Sequence, residues 1–154
     1  FNVEKFNNLE DMLKEVDAVT IAVPTKYHKD VALEVIESGT HLLVEKPLAD
    51  SVESAKEIQT QAENRKVVLL VGHIERYNPV IQYTKKALSN NRWGKIINFS
   101  SHRLSPYPAR ILDVGVIFDI GIHDLDLMSY LSDGNIESVY AAGTSSFSKM
   151  LLRG

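Results

Sequence analysis

Three short apolar runs, separated by amphipathic stretches, limit the fold of the first half of this chain more than any other feature. The runs are "DAVTIAVP", "THLLVE" and "KVVLLVG", which are rich in β-branched residues and end in proline, a charged residue or glycine. The stretches between them repeat apolar residues at helical spacing. Strands that alternate with helices predict βαβ units, a parallel sheet and right-handed crossovers. The first run, "DAVTIAVP", further predicts a strand that is buried on both faces.

Capping residues mark the ends of the predicted helices. The stretch "NNLEDMLKEV" predicts a short helix, with Asn8 and Asp11 placed as a variant of the capping box. In "HKDVALEVIESG" the glycine, Gly39, marks the C′ position of a second helix. Asp50 and Glu53 form a D-x-x-E capping box that predicts a third helix through about residue 62.

The pattern changes near His73, which predicts a domain boundary between residues 1–73 and residues 74–154. Asn78 and Pro79 predict the N-cap and first turn of a helix, "PVIQYTKKALSN". The segments "WGKIINFSSHRL" and "IESVYAAGTSSF" alternate as strands do, and "FDIGIHDLDLMSYL" predicts a helix stopped by "SDG". The second half therefore predicts part of an α/β domain.

Composition narrows the class of protein without naming a partner. The chain has 154 residues, a net charge of -3 and no cysteine. Scattered basic residues give no footprint for nucleic acid or an anionic membrane, and no apolar run is long enough to span a bilayer. The absence of cysteine excludes disulfides and thiolate chemistry. With no signal-peptide pattern at the start, we expect a cytoplasmic protein that binds neither nucleic acid nor membrane.

The stretch "HLLVEKPLAD" places Glu45 and Lys46 where an apolar strand stops, directly before Pro47. Ligands of open parallel sheets bind beyond the carboxyl ends of the strands, so these charges are placed where a ligand would lie. Proline keeps the preceding lysine out of helical geometry and fixes the turn. Lys46 is then a positioned donor, and the alternative is a surface salt bridge at the end of a strand.

Another group of polar residues lies in "DIGIHDLD". Asp119, His123 and Asp126 fall at i, i+4 and i+7, on one face of a helix. An aspartate one turn before a histidine can fix the tautomer that acid–base catalysis needs. Two alternatives stay open: a metal site, whose usual helical pattern has two histidines, and a helix cap beside a packed polar residue.

The stretch "AVPTKYH" is a weaker indication of a cofactor site. Pro24 ends a strand, Thr25 lies in the turn and His28 begins the next helix. Backbone N–H groups and a hydroxyl at such a turn often contact the phosphates or riboses of a cofactor. Loop and capping roles explain these residues equally well.

Taken in order, these segments resemble the glucose-fructose oxidoreductase and inositol dehydrogenase family, Gfo/Idh/MocA. The stretch "DAVTIAVPTKYHKDVALEVIESGTHLLVEKPLADSVESAKEI" is similar to its strand-helix-strand around E-K-P. "DVGVIFDIGIHDLDLMSYL" is similar to its D-x-G-x-H-x-x-D helix, and "VGHIERYNP" joins the two. The resemblance implies a Rossmann domain for NAD or NADP, and a C-terminal α/β domain whose open, mostly antiparallel sheet forms homo-oligomers.

The resemblance also implies roles for single residues in hydride transfer between nicotinamide and a sugar, nucleotide-sugar or polyol carbon. His123 would take the hydroxyl proton, Lys46 would stabilise the alkoxide and contact the nicotinamide ribose, and Asp119 would orient the substrate or the histidine. Glu45 and Pro47 would shape the nicotinamide pocket. No metal is part of this chemistry, and Asp126 is expected in helix packing or behind the site.

A substrate contact is predicted in "HRLSPYPARILDVGV", which is similar to family members acting at C3 of UDP-N-acetylhexosamines or their uronates. Arg103 and Arg110, with Tyr107 between them, would reach an anionic substrate, since guanidinium binds phosphate or carboxylate bidentately. Arginines on a loop are alternatively just solvated.

The chain departs from the family pattern at its start, because the G-x-G-x-x-G turn and the acidic residue that reads the ribose do not occur. We therefore expect a fragment that binds dinucleotide poorly and is inactive alone. Two other function classes stay open: a metal-dependent hydrolase or lyase using Asp119, His123 and Asp126, and a non-catalytic binding protein of the same fold.

Overall fold

The computed structural model describes residues 3–104, 115–134 and 136–143. These residues divide into two compact units, the first ending at His73 and the second beginning at Ile74.

A three-stranded parallel sheet organises the first unit, as the alternating pattern predicts. Strands β1, β2 and β3 lie side by side in that order, and both neighbouring pairs are parallel. The elements in chain order are α1 (Leu9–Leu13), β1 (Ala18–Ile21), a 3₁₀ turn (Thr25–Tyr27), α2 (His28–Glu37), β2 (His41–Val44), α3 (Val52–Arg65) and β3 (Leu69–Val71). The prediction of an α/β fold with a Rossmann-like parallel sheet is confirmed.

The ends of the helices follow local capping chemistry, with one correction. The Asn8 side chain accepts a hydrogen bond from the Asp11 N–H at 2.8 Å, as predicted. Helix α3 is capped by Ser51, whose hydroxyl accepts from the Ser54 N–H, so the predicted cap at Asp50 is wrong by one residue. A hydroxyl at the N-cap satisfies an otherwise unpaired N–H group as well as a carboxylate does.

The core of the first unit lies on one face of the sheet. Helices α2 and α3 pack there, and Leu42 and Val44 of β2 are buried against them. Ala18 and Thr20 of β1 are exposed, and Leu70 of β3 is 49% exposed. Within this unit β1 is therefore buried on one face only, and the prediction that this strand is buried on both faces is wrong. Ten buried residues form the core: Leu13, Ile21, Ala32, Val35, Ile36, Leu42, Val44, Ala49, Ile58 and Ala62.

Helices make up the described regular structure of the second unit. A 3₁₀ turn (Ile74–Tyr77) leads into α4 (Pro79–Ser89), whose N-cap is Asn78, as predicted. A π-helical turn (Ile117–Gly121) continues directly into α5 (Ile122–Ser132). The C-cap of α5 is Asp133, which adopts a left-handed conformation within the predicted "SDG" stop. No helix in the described part of the chain is long and apolar enough to cross a membrane.

The segments predicted as strands of the second unit form no strand where the structure describes them. Residues 94–104 and 136–143 are without strand pairing, and residues 144–147 of the second segment lie outside the described residues. Alternation marks a segment that suits a sheet, but a strand forms only when a partner takes up its backbone N–H and C=O groups. The antiparallel sheet is thus not confirmed.

Candidate functional site

The carboxyl ends of the three parallel strands lie at one edge of the sheet. Ile21 pairs with Val44, and Val44 with Val71, so the residues after each strand are neighbours. Pairing continues into the E-K-P segment, because the Glu45 N–H donates to the Ile21 carbonyl at 3.0 Å. The Gly72 N–H in turn donates to the Val44 carbonyl at 2.8 Å. This edge of an open parallel sheet is where ligands bind.

Gly72 allows the end of β3 to approach the E-K-P segment closely. A Cβ atom at position 72 would lie 3.1 Å from Glu45 Oε2 and 3.3 Å from Glu45 Cα. The second contact is with backbone, which a rotamer change cannot relieve. In the sequence Gly72 only marks the end of an apolar run. The close approach of Glu45, which makes glycine necessary there, has no signal in the sequence.

Lys46 lies half-buried at this edge, and the peptide bond between Lys46 and Pro47 is cis. Pro47 itself is buried. In the preceding turn Pro24 is exposed and Thr25 is buried, so these two predicted cofactor contacts differ in their access to solvent.

His28 is more constrained than its predicted role as a cofactor contact requires. Its side chain is 1% exposed, with Nδ1 2.8 Å from the Pro47 carbonyl oxygen and Nε2 2.9 Å from the Val23 carbonyl oxygen. Both ring nitrogens already have partners from the protein. The ring therefore joins the segment after β1 to the turn after β2.

In the second unit, Asp119 lies within the π-helical turn and His123 follows on the first turn of α5. π-Helical turns are rare in proteins, and those that do occur are often at functional sites. His123 Nδ1 is buried and has no hydrogen-bond partner among the described residues. Asp119 therefore does not orient the imidazole through Nδ1. A wider turn changes the register of side chains four residues apart, which an α-helical spacing argument cannot anticipate.

Asp126 is held by an arginine that sequence reasoning did not select. Arg76 Nε lies 3.1 and 2.9 Å from the two carboxylate oxygens of Asp126, and Nη2 lies 2.5 Å from Oδ1. The side chain of Asp126 is 7% exposed. The hydrogen bond with Asp126 raises the pKa of Arg76 above its usual range, although burial opposes the charge. The expectation that Asp126 serves helix packing agrees with this contact.

The Arg76 guanidinium also lies 5.1 Å from the ring centre of Tyr130, and Lys85 Nζ lies 5.0 Å from the same ring. Lys85 Nζ donates to the Tyr130 carbonyl oxygen at 2.6 Å and pairs with Asp133. These contacts tie the Ile74–Tyr77 turn and α4 to α5, the helix that carries His123. Arg76 and Asp126 are 50 residues apart in the sequence, so no local pattern predicts their contact.

Arg103, predicted to contact an anionic substrate, is paired with carboxylates. Its Nε lies 2.8 Å from Asp124 Oδ2, and its Nη2 lies 3.9 Å from Glu75 Oε1. These carboxylates neutralise the guanidinium charge that would otherwise bind a phosphate. Tyr107 and Arg110, the other two predicted substrate contacts, lie outside the described residues.

The two groups of predicted catalytic residues belong to different units: Lys46 to the first, and Asp119 and His123 to the second. Their convergence on one substrate stays a prediction. Within residues 3–104, 115–134 and 136–143, no three histidine or carboxylate side chains are grouped so as to hold a metal ion.

Two protein-family models match the chain. The first is described as "Oxidoreductase family, NAD-binding Rossmann fold" and matches residues 1–73. The second is described as "GFO/IDH/MocA C-terminal domain" and matches residues 81–150.

Two curated relatives are dehydrogenases by name. The UDP-N-acetylglucosamine 3-dehydrogenase of Acidithiobacillus ferrooxidans is 39% identical over 140 residues, which cover 91% of this chain and 44% of that protein. The scyllo-inositol 2-dehydrogenase (NAD(+)) of Bacillus subtilis is 32% identical over 133 residues, which cover 83% of this chain and 39% of that protein. The chain thus spans less than half the length of either relative.

Solved structures show the same similarity. The Acidithiobacillus ferrooxidans enzyme, GnnA, superposes with a TM-score of 0.85 at 37% identity, covering 94% of this chain and 47% of that chain. The WlbA dehydrogenase of Bordetella pertussis, in complex with NADH and UDP-GlcNAcA, gives a TM-score of 0.67 at 29% identity, with 82% and 40% covered.

Proposed function

Because the chain belongs to the GFO/IDH/MocA oxidoreductase family, as its two motifs predict, we propose that it is part of a nicotinamide-dependent dehydrogenase. The reaction is transfer of a hydride between NAD or NADP and the carbon that carries a hydroxyl group of a sugar, nucleotide sugar or polyol. The observation that carries this proposal is the sheet edge at which the E-K-P segment meets the ends of β1 and β3.

The first unit has features that fit a nicotinamide cofactor at this edge. Gly72 leaves room beside Glu45 that any side chain would fill, and the turn at Pro24 and Thr25 opens at the same end of the sheet. Lys46 and Pro47 follow β2 and would border the nicotinamide. When bound, the nicotinamide ring accepts or supplies the hydride.

The acid–base chemistry is assigned to groups of this chain. His123 takes the proton of the substrate hydroxyl as the hydride leaves, and its Nδ1, without a hydrogen-bond partner among the described residues, supports this role. The ammonium group of Lys46 stabilises the developing alkoxide. Asp119, in the π-helical turn before His123, orients the substrate hydroxyl.

Among possible substrates, a nucleotide-linked sugar has the best support. The relative at 39% identity is named for UDP-N-acetylglucosamine, and the WlbA complex contains UDP-GlcNAcA. Arg103 would have to exchange Asp124 for the diphosphate to take part in binding it.

The proposal includes a cytoplasmic homo-oligomer, a dimer or tetramer, in which the segments predicted as strands form an antiparallel sheet. Three apolar side chains of these segments support it because they are almost fully exposed, Ile97 at 99%, Leu104 at 96% and Tyr140 at 92%. Exposed apolar groups on alternating segments are typical of sheet faces that become covered. Light scattering on the purified protein measures the mass of the assembly, and a monomer at micromolar concentration would contradict this part.

The test of function uses the longest gene product that contains this chain. We expect quenching or enhancement of NADH fluorescence on binding, and reduction of NAD or NADP with UDP-N-acetylglucosamine or an inositol. Replacing the amine in Lys46→Met should lower kcat by about 10²–10⁴, the usual contribution of a positioned proton-transfer or charge-stabilising group.

The matched control is Lys56→Met, which removes the same charge from an exposed position on α3. Full activity of Lys46→Met, or equal losses in both variants, would contradict the role of Lys46. Failure of the unaltered protein to bind NADH would contradict the proposed function itself.

A further inference from the structure

His28 makes two contacts that a neutral histidine cannot satisfy together. Each ring nitrogen lies within hydrogen-bond distance of a backbone carbonyl oxygen, 2.8 Å from Pro47 and 2.9 Å from Val23. Carbonyl oxygens only accept hydrogen bonds, whereas a neutral imidazole has one N–H donor and one bare nitrogen. With a neutral ring, one lone pair would point at an oxygen lone pair inside the protein.

We propose that His28 is doubly protonated and acts as a positioning residue, tying the segment after β1 to the turn that carries Lys46. As an imidazolium it donates one hydrogen bond to each carbonyl, and both bonds are charge-assisted. The ring is 1% exposed, so water does not compete for either acceptor. The Val23 and Pro47 carbonyls thereby hold a fixed separation, set by the width of one imidazole ring.

Two features of the structure oppose a charge at this place, and the two hydrogen bonds must outweigh them. Burial disfavours the imidazolium, and so does the partial positive charge at the N-terminal end of α2, which His28 begins. The adjacent cation on the helix, Lys29, is compensated by Glu57 at 2.7 Å. Leaving either carbonyl unsatisfied inside the protein would be unfavourable in its own right. The two carbonyl contacts of His28 therefore favour the charged ring.

The consequence for the active site rests on the proposed function. Val23 and Pro47 flank two neighbouring strand ends, and Lys46 directly precedes Pro47. A ring that fixes both segments also fixes the backbone from which the Lys46 side chain extends. His28 itself then touches neither cofactor nor substrate.

The first test reads the protonation of the ring directly. In the purified chain labelled with ¹⁵N-histidine, a long-range ¹H–¹⁵N spectrum near neutral pH distinguishes protonated from bare ring nitrogens. His41 is an internal reference, because its Nδ1 accepts the Val68 N–H at 3.1 Å and must be bare. We expect two protonated nitrogens for His28 and a bare Nδ1 for His41. A bare nitrogen on His28 overturns the proposal.

The second test measures positioning. In His28→Gln both N–H donors lie on one nitrogen, so they cannot take the two separate positions from which the ring nitrogens reach the carbonyls. His41→Gln makes the same change at the exposed start of β2. We expect the backbone order parameter of Lys46 to fall only in His28→Gln. In the longest gene product that contains this chain, we expect the same substitution to raise the Kd for NADH about tenfold, as for loss of one charge-assisted bond.

Unchanged order at Lys46 in a folded His28→Gln variant overturns the positioning role. Should that variant fail to fold, the spectrum of the unaltered chain still decides the protonation on which the role depends. If the longest unaltered gene product does not bind NADH, the proposed function fails, while the order parameters of Lys46 in the purified chain still test this inference.

Discussion

Removing Arg76 is expected to destabilise the second unit more than removing any exposed charge of that unit. Arg76→Met keeps most of the aliphatic stem and deletes the guanidinium, which leaves the carboxylate of Asp126 without its partner. That carboxylate has a side chain only 7% exposed, whereas the Arg76 side chain is 42% exposed. The change therefore leaves a nearly buried charge uncompensated.

The magnitude follows from the burial of the two partners. Breaking a fully buried ion pair by removing one side costs about 3–5 kcal/mol. Water can reach the outer part of the Arg76 site and replace some of the lost hydrogen bonds, so we expect a loss of about 2–3 kcal/mol in the free energy of unfolding. Because the hydrogen bond with Asp126 raises the pKa of Arg76, the arginine keeps its charge, and its contribution should not fall as pH rises toward about 10.

Urea unfolding followed by tryptophan fluorescence reports on the second unit, to which Arg76 and Asp126 belong. Trp93 is the single tryptophan of the chain and packs edge-on against Tyr83, with ring centres 5.9 Å apart. The control Lys86→Met removes an equal charge from an exposed position on α4 and should change stability by less than about 0.5 kcal/mol. The double variant Arg76→Met/Asp126→Leu should recover stability relative to Arg76→Met, since no buried charge is left. Equal losses in Arg76→Met and Lys86→Met would show that the charge of Asp126 does not depend on Arg76 for compensation.

Three further outcomes follow from local geometry in the first unit. Ser51→Ala should lower the free energy of unfolding by about 1 kcal/mol, whereas Asp50→Ala should change it by less than about 0.5 kcal/mol. A larger loss for Asp50→Ala in thermal denaturation would indicate that Asp50 caps α3. Gly72→Ala should cost about 1–3 kcal/mol and weaken NADH binding, because its Cβ would press on the Glu45 backbone, and an unchanged Tm would contradict that contact. Lys66→Gly should stabilise the chain by about 0.5–1 kcal/mol in urea unfolding, since Lys66 adopts φ 58° at the end of α3, and destabilisation would contradict it.

Sequence patterns predict the parts of this fold that depend on neighbours along the chain. The apolar runs give all three strands, and Asn8, Gly39, Asn78 and Pro79 mark helix ends that the structure confirms. Capping and periodicity act within a few residues, so their chemistry is visible in the letters. The choice between Asp50 and Ser51 as a cap fails because both side chains can accept the same N–H.

The missed features depend on contacts between distant residues or on backbone geometry. Arg76 meets Asp126 only after two helical segments pack, and His28 meets Pro47 only after β1 and β2 pair. The π-helical turn around Asp119 changes the register that an i, i+4 spacing predicts for an α-helix. Strand patterns in residues 94–104 cannot say whether a partner strand is present. For the same reason the motifs identify Lys46 and His123 as candidates but not how their side chains are held.

In the proposed reaction a hydride moves directly between the substrate carbon and the nicotinamide. The most direct test supplies the longest gene product that contains this chain with NAD and UDP-N-acetylglucosamine deuterated at C3, and follows the label by mass spectrometry. We expect deuterium in the reduced cofactor, and loss of that transfer in Lys46→Met. Deuterium released to water, or product formed without reduction of the cofactor, would contradict direct hydride transfer.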